Sequence, residues 1–316
     1  MFFKKFLFIT LILFIVTANL PARAETAEGW YLRGLILYSQ GMDKYEHAIK
    51  CFDRAIEGKP DYIEALAAKS LILAQLDRTE ESMKCIDRIL EIHPNTASAW
   101  YCKGLAAYDQ GKKEEAIKFF DKALELDPEY TGAWIYKGWL LTVDGKYEEG
   151  IKCYDTAIKL EPEVEYAWFL KGLILSEQGK YEEALKCMDK AIELKPDSIG
   201  FCHNKGLILA GQGKHEEAIT WYDKDIAQDA AIPELFCDKG ISLYELKRYD
   251  ESIKWFDKAL TLNQVFTKAW LYKGKALYEE GKYKEALECY DKLLESSPDD
   301  VDAKNAREKA MKALNK

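Results

Sequence analysis

Eight cysteines and four histidines are the residues here that could ligate a metal, form disulfides or act as nucleophiles. Their spacing argues against all three. Cys51, Cys85, Cys153, Cys187 and Cys289 share one periodic column with Phe119, Trp221 and Trp255. A column that accepts either Cys or an aromatic ring is a buried apolar column. Equivalent positions on stacked helices lie roughly 8–10 Å apart, too far for a disulfide, so the expectation is free, buried thiols. That sits in tension with an oxidising compartment. His47 and Cys51 are one helical turn apart, but His93, His203 and His215 do not complete a set of three or four metal ligands. No C-x-x-C, G-x-S-x-G, H-E-x-x-H or phosphate-cradling glycine loop occurs. The carboxylates are periodic, as helix-surface acids are. No catalytic residue, metal or cofactor is expected.

The elements that carry these residues repeat. Gly104, Gly138, Gly172, Gly206, Gly240 and Gly274 are spaced by 34 residues, with Ser70 and Gly34 continuing the series toward the N-terminus. One supersecondary unit stacked on itself produces such a period. Within a unit, Ala99–Gln110 reads as a helix stopped at Gly111, a residue that readily takes the left-handed conformation. Glu114 and Glu115 open a second helix that ends before Pro128. Charge pairs four apart recur on the second helices: Glu46–Lys50, Glu80–Lys84, Glu114–Lys118, Glu148–Lys152, Glu182–Lys186 and Asp250–Lys254.

Four residues before the anchors stand Trp30, Leu66, Trp100, Trp134, Trp168, Cys202, Phe236 and Trp270. A small column (Ala48, Ala116, Gly150, Ala184, Ala218, Ser252, Ala286) precedes by four an apolar one: Phe52, Phe120, Tyr154, Met188, Tyr222, Phe256 and Tyr290. On these columns the chain resembles the tetratricopeptide repeat family, whose pattern is W-x2-L-G-x2-Y, then A-x3-F, then P. The resemblance implies an all-α fold, an α-α superhelix (tetratricopeptide repeat solenoid) of paired antiparallel helices, right-handed. It spans eight repeats at about 27–62, 63–96, 97–130, 131–164, 165–198, 199–232, 233–266 and 267–300, with 301–316 as a capping helix. Departures are a basic residue before each anchor, Asp225 where Ala is usual, and Ala230 and Gln264 where Pro is usual.

The basic residues have a counterpart. Asp53, Asp87, Asp121, Asp155, Asp189, Asp223, Asp257 and Asp291 form an acidic column. Sixteen residues after each comes Lys69, Lys103, Lys137, Lys171, Lys205, Lys239, Lys273 and Arg307. A ladder of ion pairs between repeats is expected. A pairing within repeats, eighteen residues apart, is the alternative; Arg307 beyond the last anchor favours the first.

A second stripe on the first helices reads Tyr31, Leu35, Tyr38; Tyr101, Leu105, Tyr108; Ile135, Trp139; Phe169, Leu173; His203, Leu207; and Ile241, Tyr244. First helices line the concave surface in this family, so the resemblance implies that the stripe faces a groove. Packing of the stripe between neighbouring first helices is the alternative. Some family members grip C-terminal carboxylates with Lys and Asn. The corresponding places here hold Tyr31, Leu35, Ala68, Ser98 and Cys102, so this mode is not supported at the N-terminal end.

The N-terminus is read separately. Lys4 and Lys5 precede an apolar run from Phe6 to Val16, followed by Ala22 and Ala24 in an A-x-A arrangement. This is the layout of a signal peptide, residues 1–24; an uncleaved anchor is the other reading. Its removal moves the formal net charge from −9 to −12 through the loss of Lys4, Lys5 and Arg23. An acidic chain without a clustered basic face is not expected to bind nucleic acid. The expectation is an exported, non-enzymatic interaction scaffold. It takes an apolar or aromatic protein or peptide segment, and touches membrane only through the N-terminal segment. Self-association as an envelope component, or an accessory role with carbohydrate, are the alternatives.

Overall fold

The helices start and stop where local chemistry requires. The computed structural model describes residues 26–228 and 232–315; the signal-peptide reading and Ala230 fall outside them. The Thr26 hydroxyl accepts from the Gly29 amide at 3.1 Å and opens α1, Ala27–Ser39. A 3-10 turn, Met42–Lys44, leads into α2, Tyr45–Gly58. Then follow α3 (Ile63–Gln75), α4 (Thr79–Ile92), α5 (Ala97–Asp109), α6 (Lys113–Leu126), α7 (Thr131–Val143) and α8 (Tyr147–Leu160). These belong to a first compact unit ending at Leu160. The second unit, from Glu161, holds α9 (Glu165–Glu177), α10 (Tyr181–Leu194), α11 (Phe201–Gly211), α12 (His215–Gln228), α13 (Pro233–Glu245), α14 (Tyr249–Leu262), α15 (Thr267–Glu279), α16 (Tyr283–Ser296) and α17 (Val301–Leu314). The described residues contain helices and turns and no strand, so the fold is all-α.

The odd helices from α3 to α15 end in a left-handed residue. Gly111, Gly145, Gly179, Gly213 and Gly281 have φ between +72° and +76°. At the same register Asp77 and Lys247 take φ +56° and +59°, which costs a residue bearing a Cβ.

Each odd helix packs on the even helix that follows it, and the anchors explain how closely. A Cβ built on Gly104 would lie 2.5 Å from the Phe120 ring, and one on Gly240 would lie 2.6 Å from Phe256. In α3 the anchor is Ser70, and there the facing residue is the smaller Ile86. There the larger anchor is matched by a smaller residue in the facing column. Trp100, Trp134 and Trp168 donate their indole N–H to the carbonyls of Pro94, Pro128 and Pro162 at 2.8–3.0 Å, locking the turn before each odd helix. Trp270 makes the same bond to Gln264 at 2.8 Å. The bond uses a backbone oxygen, so loss of the proline leaves it intact.

Asp225, the other departure, is fully buried. Its Oδ2 accepts from the amides of Gly200 (2.9 Å) and His203 (2.8 Å). It thus supplies the N-terminal cap that Gly200, with no side chain and φ +97°, cannot give α11. At the other end of the chain, α17 buries Ala303 and Ala310 against the last pair.

The acidic and basic columns meet between repeats. In the first unit Asp53 pairs with Lys69 at 2.5 Å, and Asp87 with Lys103 and Asp121 with Lys137 at 2.6 Å. In the second, Asp189 pairs with Lys205, Asp223 with Lys239, Asp257 with Lys273 at 2.6 Å and Asp291 with Arg307 at 2.5 Å. Asp155 belongs to the first unit and Lys171 to the second. The Lys205 and Lys239 ammoniums also lie over the rings of Trp221 and Trp255, 3.8 and 3.9 Å from their centroids. That contact explains how these two lysines can be buried.

Five intrahelical charge pairs of the even helices use a spacing of three, whereas Lys312–Glu308 in α17 uses four. Arg54–Glu57, Arg88–Glu91, Lys122–Glu125, Lys190–Glu193 and Lys292–Glu295 are three apart, a spacing that also brings side chains together on a helix. Glu46, expected to meet Lys50, pairs at 2.9 Å with Arg78 of the next repeat. The Arg78 fork also holds Glu81 at 2.7 Å.

Candidate binding face of the odd helices

The second stripe lies at the odd-helix surface, and its residues divide between packing and exposure. All fourteen are partly or well exposed: Tyr31, Leu35, Tyr38, Tyr101, Leu105, Tyr108, Ile135, Trp139, Phe169, Leu173, His203, Leu207, Ile241 and Tyr244. Most nevertheless lean on neighbours. Tyr31 packs on Phe52 and Tyr62, Tyr38 on Tyr45, and Phe169 stacks on Phe201 with ring centroids 4.6 Å apart. Tyr244 meets Tyr249 and Tyr272. Tyr108 and Leu207 are the most open, at 38% and 40% exposure. The two readings of the stripe therefore both apply, residue by residue.

In the second unit His203 of α11 is engaged by Asp238 of α13. The imidazole Nε2 lies 2.8 Å from Asp238 Oδ2, while Lys268 of α15 donates to Oδ1 at 2.8 Å. Burial pushes the Asp238 carboxyl up, but the hydrogen bonds from His203 and Lys268 outweigh it and hold the carboxyl below its usual range. This relay ties three consecutive odd helices together.

The opening in the first unit lies between a repeat that the stripe did not include and the one that follows, whose stripe residue Leu105 lines it. Between α3 and α5, floored by α4, lies an apolar slot of about 360 Å³. Its walls are Ile63, Ala67, Leu71 and Ala74 on one side and Cys102, Leu105 and Ala106 on the other, over Ile86 and Ile89. Ser70, Thr79, Ser82, Thr96, Ser98, Ala99 and Asp109 complete the lining, and the hydroxyls of Ser70, Ser82 and Thr96 donate to the carbonyls of Ala67, Ser70 and His93. Leu71 is 51% exposed. A signal was present in the sequence: Ala67 and Ala74 stand at the register of Tyr31 and Tyr38, and of Tyr101 and Tyr108.

The cysteine thiols are poorly placed to act as nucleophiles. All eight cysteines are free, seven of them buried. Burial pushes the thiols of Cys153, Cys202 and Cys289 up to about 11 and that of Cys237 to about 12. Cys102 has an exposed face, but its thiol sits among the slot walls, which push its pKa up. A neutral thiol is a poor nucleophile. Among the described residues no three His, Cys, Asp or Glu side chains gather into a metal-sized cluster, and no helix is long and apolar enough to cross a membrane.

A sequence comparison with curated proteins finds no match. Solved structures share the fold. A chain of the APC/C hetero-tetramer Cut9-Hcn1 is 15% identical with a TM-score of 0.62, over 92% of this chain and 57% of that one. This chain thus spans little more than half of that relative's length. PilF of Pseudomonas aeruginosa is 19% identical with a TM-score of 0.60, over 68% and 97% of the two chains. YrrB, a TPR protein with an unusual peptide-binding site, is 21% identical with a TM-score of 0.52, over 60% and 97%. Family models described as Tetratricopeptide repeat match residues 27–62, 63–96, 97–130, 132–164, 165–198, 199–227 and 237–301. Such repeats serve in general as protein–protein interaction scaffolds rather than as enzymes. Helix pairs on a fixed period, an anchor glycine under a ring in the following helix, and matches over most of its length together show that this chain belongs to the tetratricopeptide repeat family.

Proposed function

We propose that this protein is an exported, non-enzymatic scaffold that holds an apolar or aromatic polypeptide segment on its odd-helix face. One observation carries the reading: the slot between α3 and α5 is open, apolar and flanked by polar groups. Such a surface gains by being covered, and hydroxyls and a carboxylate beside it can fix the register of what covers it. Export rests on the charged, apolar, A-x-A order of residues 1–24. The buried thiols are compatible with it, because a thiol packed inside a helix pair is shielded from oxidants.

The test is a pull-down from envelope extract with residues 25–316 as bait, run beside the Leu71→Asp variant. A protein retained by the parent and lost by the variant supports the slot; equal retention by both counts against it. Light scattering at several concentrations separates a partner-binding monomer from a self-associating component. Fractionation of cells, with N-terminal sequencing of the product, tests export.

A further inference from the structure

We infer that the slot between α3 and α5 receives aromatic side chains of the bound polypeptide, two rings set about two helical turns apart. This deepens the scaffold reading and rests on it.

Four register columns line the gaps between α3 and α5 and between α5 and α7. Two come from the earlier helix, three residues before and four after its anchor. Two come from the next repeat, eight and two residues before its anchor. In the gap between α5 and α7 those columns hold Tyr101, Tyr108, Tyr130 and Tyr136. The rings fill it: Tyr101 lies 4.9 Å from Tyr130 and 5.9 Å from Tyr136, and Tyr108 lies 6.4 Å from Tyr136. In the gap between α3 and α5 the same columns hold Ala67, Ala74, Thr96 and Cys102. Four rings have become four small side chains.

The gap has not closed to compensate. The slot itself shows this, at about 360 Å³, and the ladder rungs beside both gaps, Asp87–Lys103 and Asp121–Lys137, are both formed. The repeat length of 34 is also the same on both sides. The molecule therefore displays, one repeat away, the chemistry that fits this space: flat aromatic rings between helices; a tyrosine hydroxyl can also reach a polar group at the edge of a gap. In the gap between α1 and α3, Tyr38 shows that edge contact by accepting from Gln75 Nε2 at 3.2 Å. Aromatic residues fill such a space at low entropic cost, having only two side-chain torsions. Ala67 and Ala74 are seven residues apart, which places the two vacated ring positions about 10 Å apart along the helix.

The experiment is selection of a random phage-displayed peptide library on the immobilised 25–316 chain. A parallel arm uses a chain with the tyrosines restored: Ala67→Tyr, Ala74→Tyr, Thr96→Tyr and Cys102→Tyr. Enriched peptides carrying paired aromatic residues, bound roughly tenfold or more weakly by the restored chain, are the expected result. Enriched peptides with aliphatic anchors that also lose binding to the restored chain would overturn the aromatic assignment and leave the scaffold reading standing. Peptides bound equally by both chains, or no enrichment at all, would overturn both. Should the restored chain not fold by circular dichroism, Ala67→Tyr alone replaces it. The selected peptides are then also tested with their aromatics changed to Leu, where loss of less than about threefold would sink the inference.

Discussion

The gap between α5 and α7 and the gap between α3 and α5 share helix lengths, register and flanking ion pair, yet one is packed with four tyrosines and the other is a slot. Nearest-neighbour stacking makes this possible. In a repeat array each interface is nearly an independent unit, so one can lose its filling while the next keeps it. A single-core globular domain would resist the same change, because a void that size would be coupled to the whole interior. The stabilising gap and the receptive gap can therefore be separated by mutation.

The largest effect should come from emptying the filled gap. Tyr101→Ala removes a half-buried ring that touches Phe120, Tyr130 and Tyr136, and a loss of about 2–4 kcal/mol is expected. Ala67→Tyr, the opposite change at the same register, should be neutral or stabilising. Denaturant melts of the two variants decide this; an Ala67→Tyr protein as unstable as Tyr101→Ala would mean that the slot cannot hold a ring.

The second test is alkaline. Burial, then the neighbouring Tyr136 and Tyr130 hydroxyls, hold the Tyr101 pKa above the ordinary tyrosine range. A group whose pKa is raised in the folded state stabilises fully below its unfolded value, about 10 for tyrosine. That contribution disappears as pH rises through the folded value. Tyr101→Phe should therefore lose less stability than the parent between roughly pH 10 and 11. Parallel pH dependences would show that Tyr101 is not desolvated by its gap. The slot has no tyrosine in these columns; its one titratable column residue is Cys102, whose thiol burial pushes up.

Smaller effects test the helix stops at the two gaps. Asp77 ends α3 in a left-handed conformation, where Gly111 ends α5 at φ +72°. Asp77→Gly should stabilise by about 0.5–1 kcal/mol and Gly111→Ala should destabilise by about 1 kcal/mol. A Cβ on Gly111 meets nothing within 4 Å, so that cost is backbone strain alone. Destabilisation by Asp77→Gly would reveal a role for the carboxylate that outweighs the strain.

The smallest difference is expected in the ladder. Asp87→Ala and Asp121→Ala break rungs of equal length beside the open and the filled gap. Half-exposed aspartates paired with mostly covered lysines suggest losses of about 0.5–1 kcal/mol each. Equal melting shifts would show that the two gaps rest on the same frame, whereas a clear inequality would locate a distortion.

Much of the frame was legible because it is local. The helix stops at Gly111, Gly145 and Gly179, the anchors under rings, and the sixteen-residue offset between acidic and basic columns all follow from turn chemistry and a strict period. The binding face was legible only in part. Aromatic residues at the surface drew attention to Tyr31 and Tyr101, and both largely support their own gaps. The opening lies where those columns hold alanine, and a missing side chain is a weak signal in a search for functional groups. Asp225 stood out as a charge in an alanine column, but its use depends on Gly200, twenty-five residues earlier, having no side chain with which to cap α11.

The sequence by itself determined the all-α class, the period, the ends of most helices and which residues face the core, since each depends on chemistry within a few residues repeated in register. Three things were decided only in the tertiary structure: that the Asp and Lys columns meet between repeats, that the Trp270 bond survives loss of the preceding proline, and that the gap between α3 and α5 stands open where that between α5 and α7 is filled. Each depends on distances between side chains from different helices, and those distances are set by packing, which no single stretch of the chain encodes.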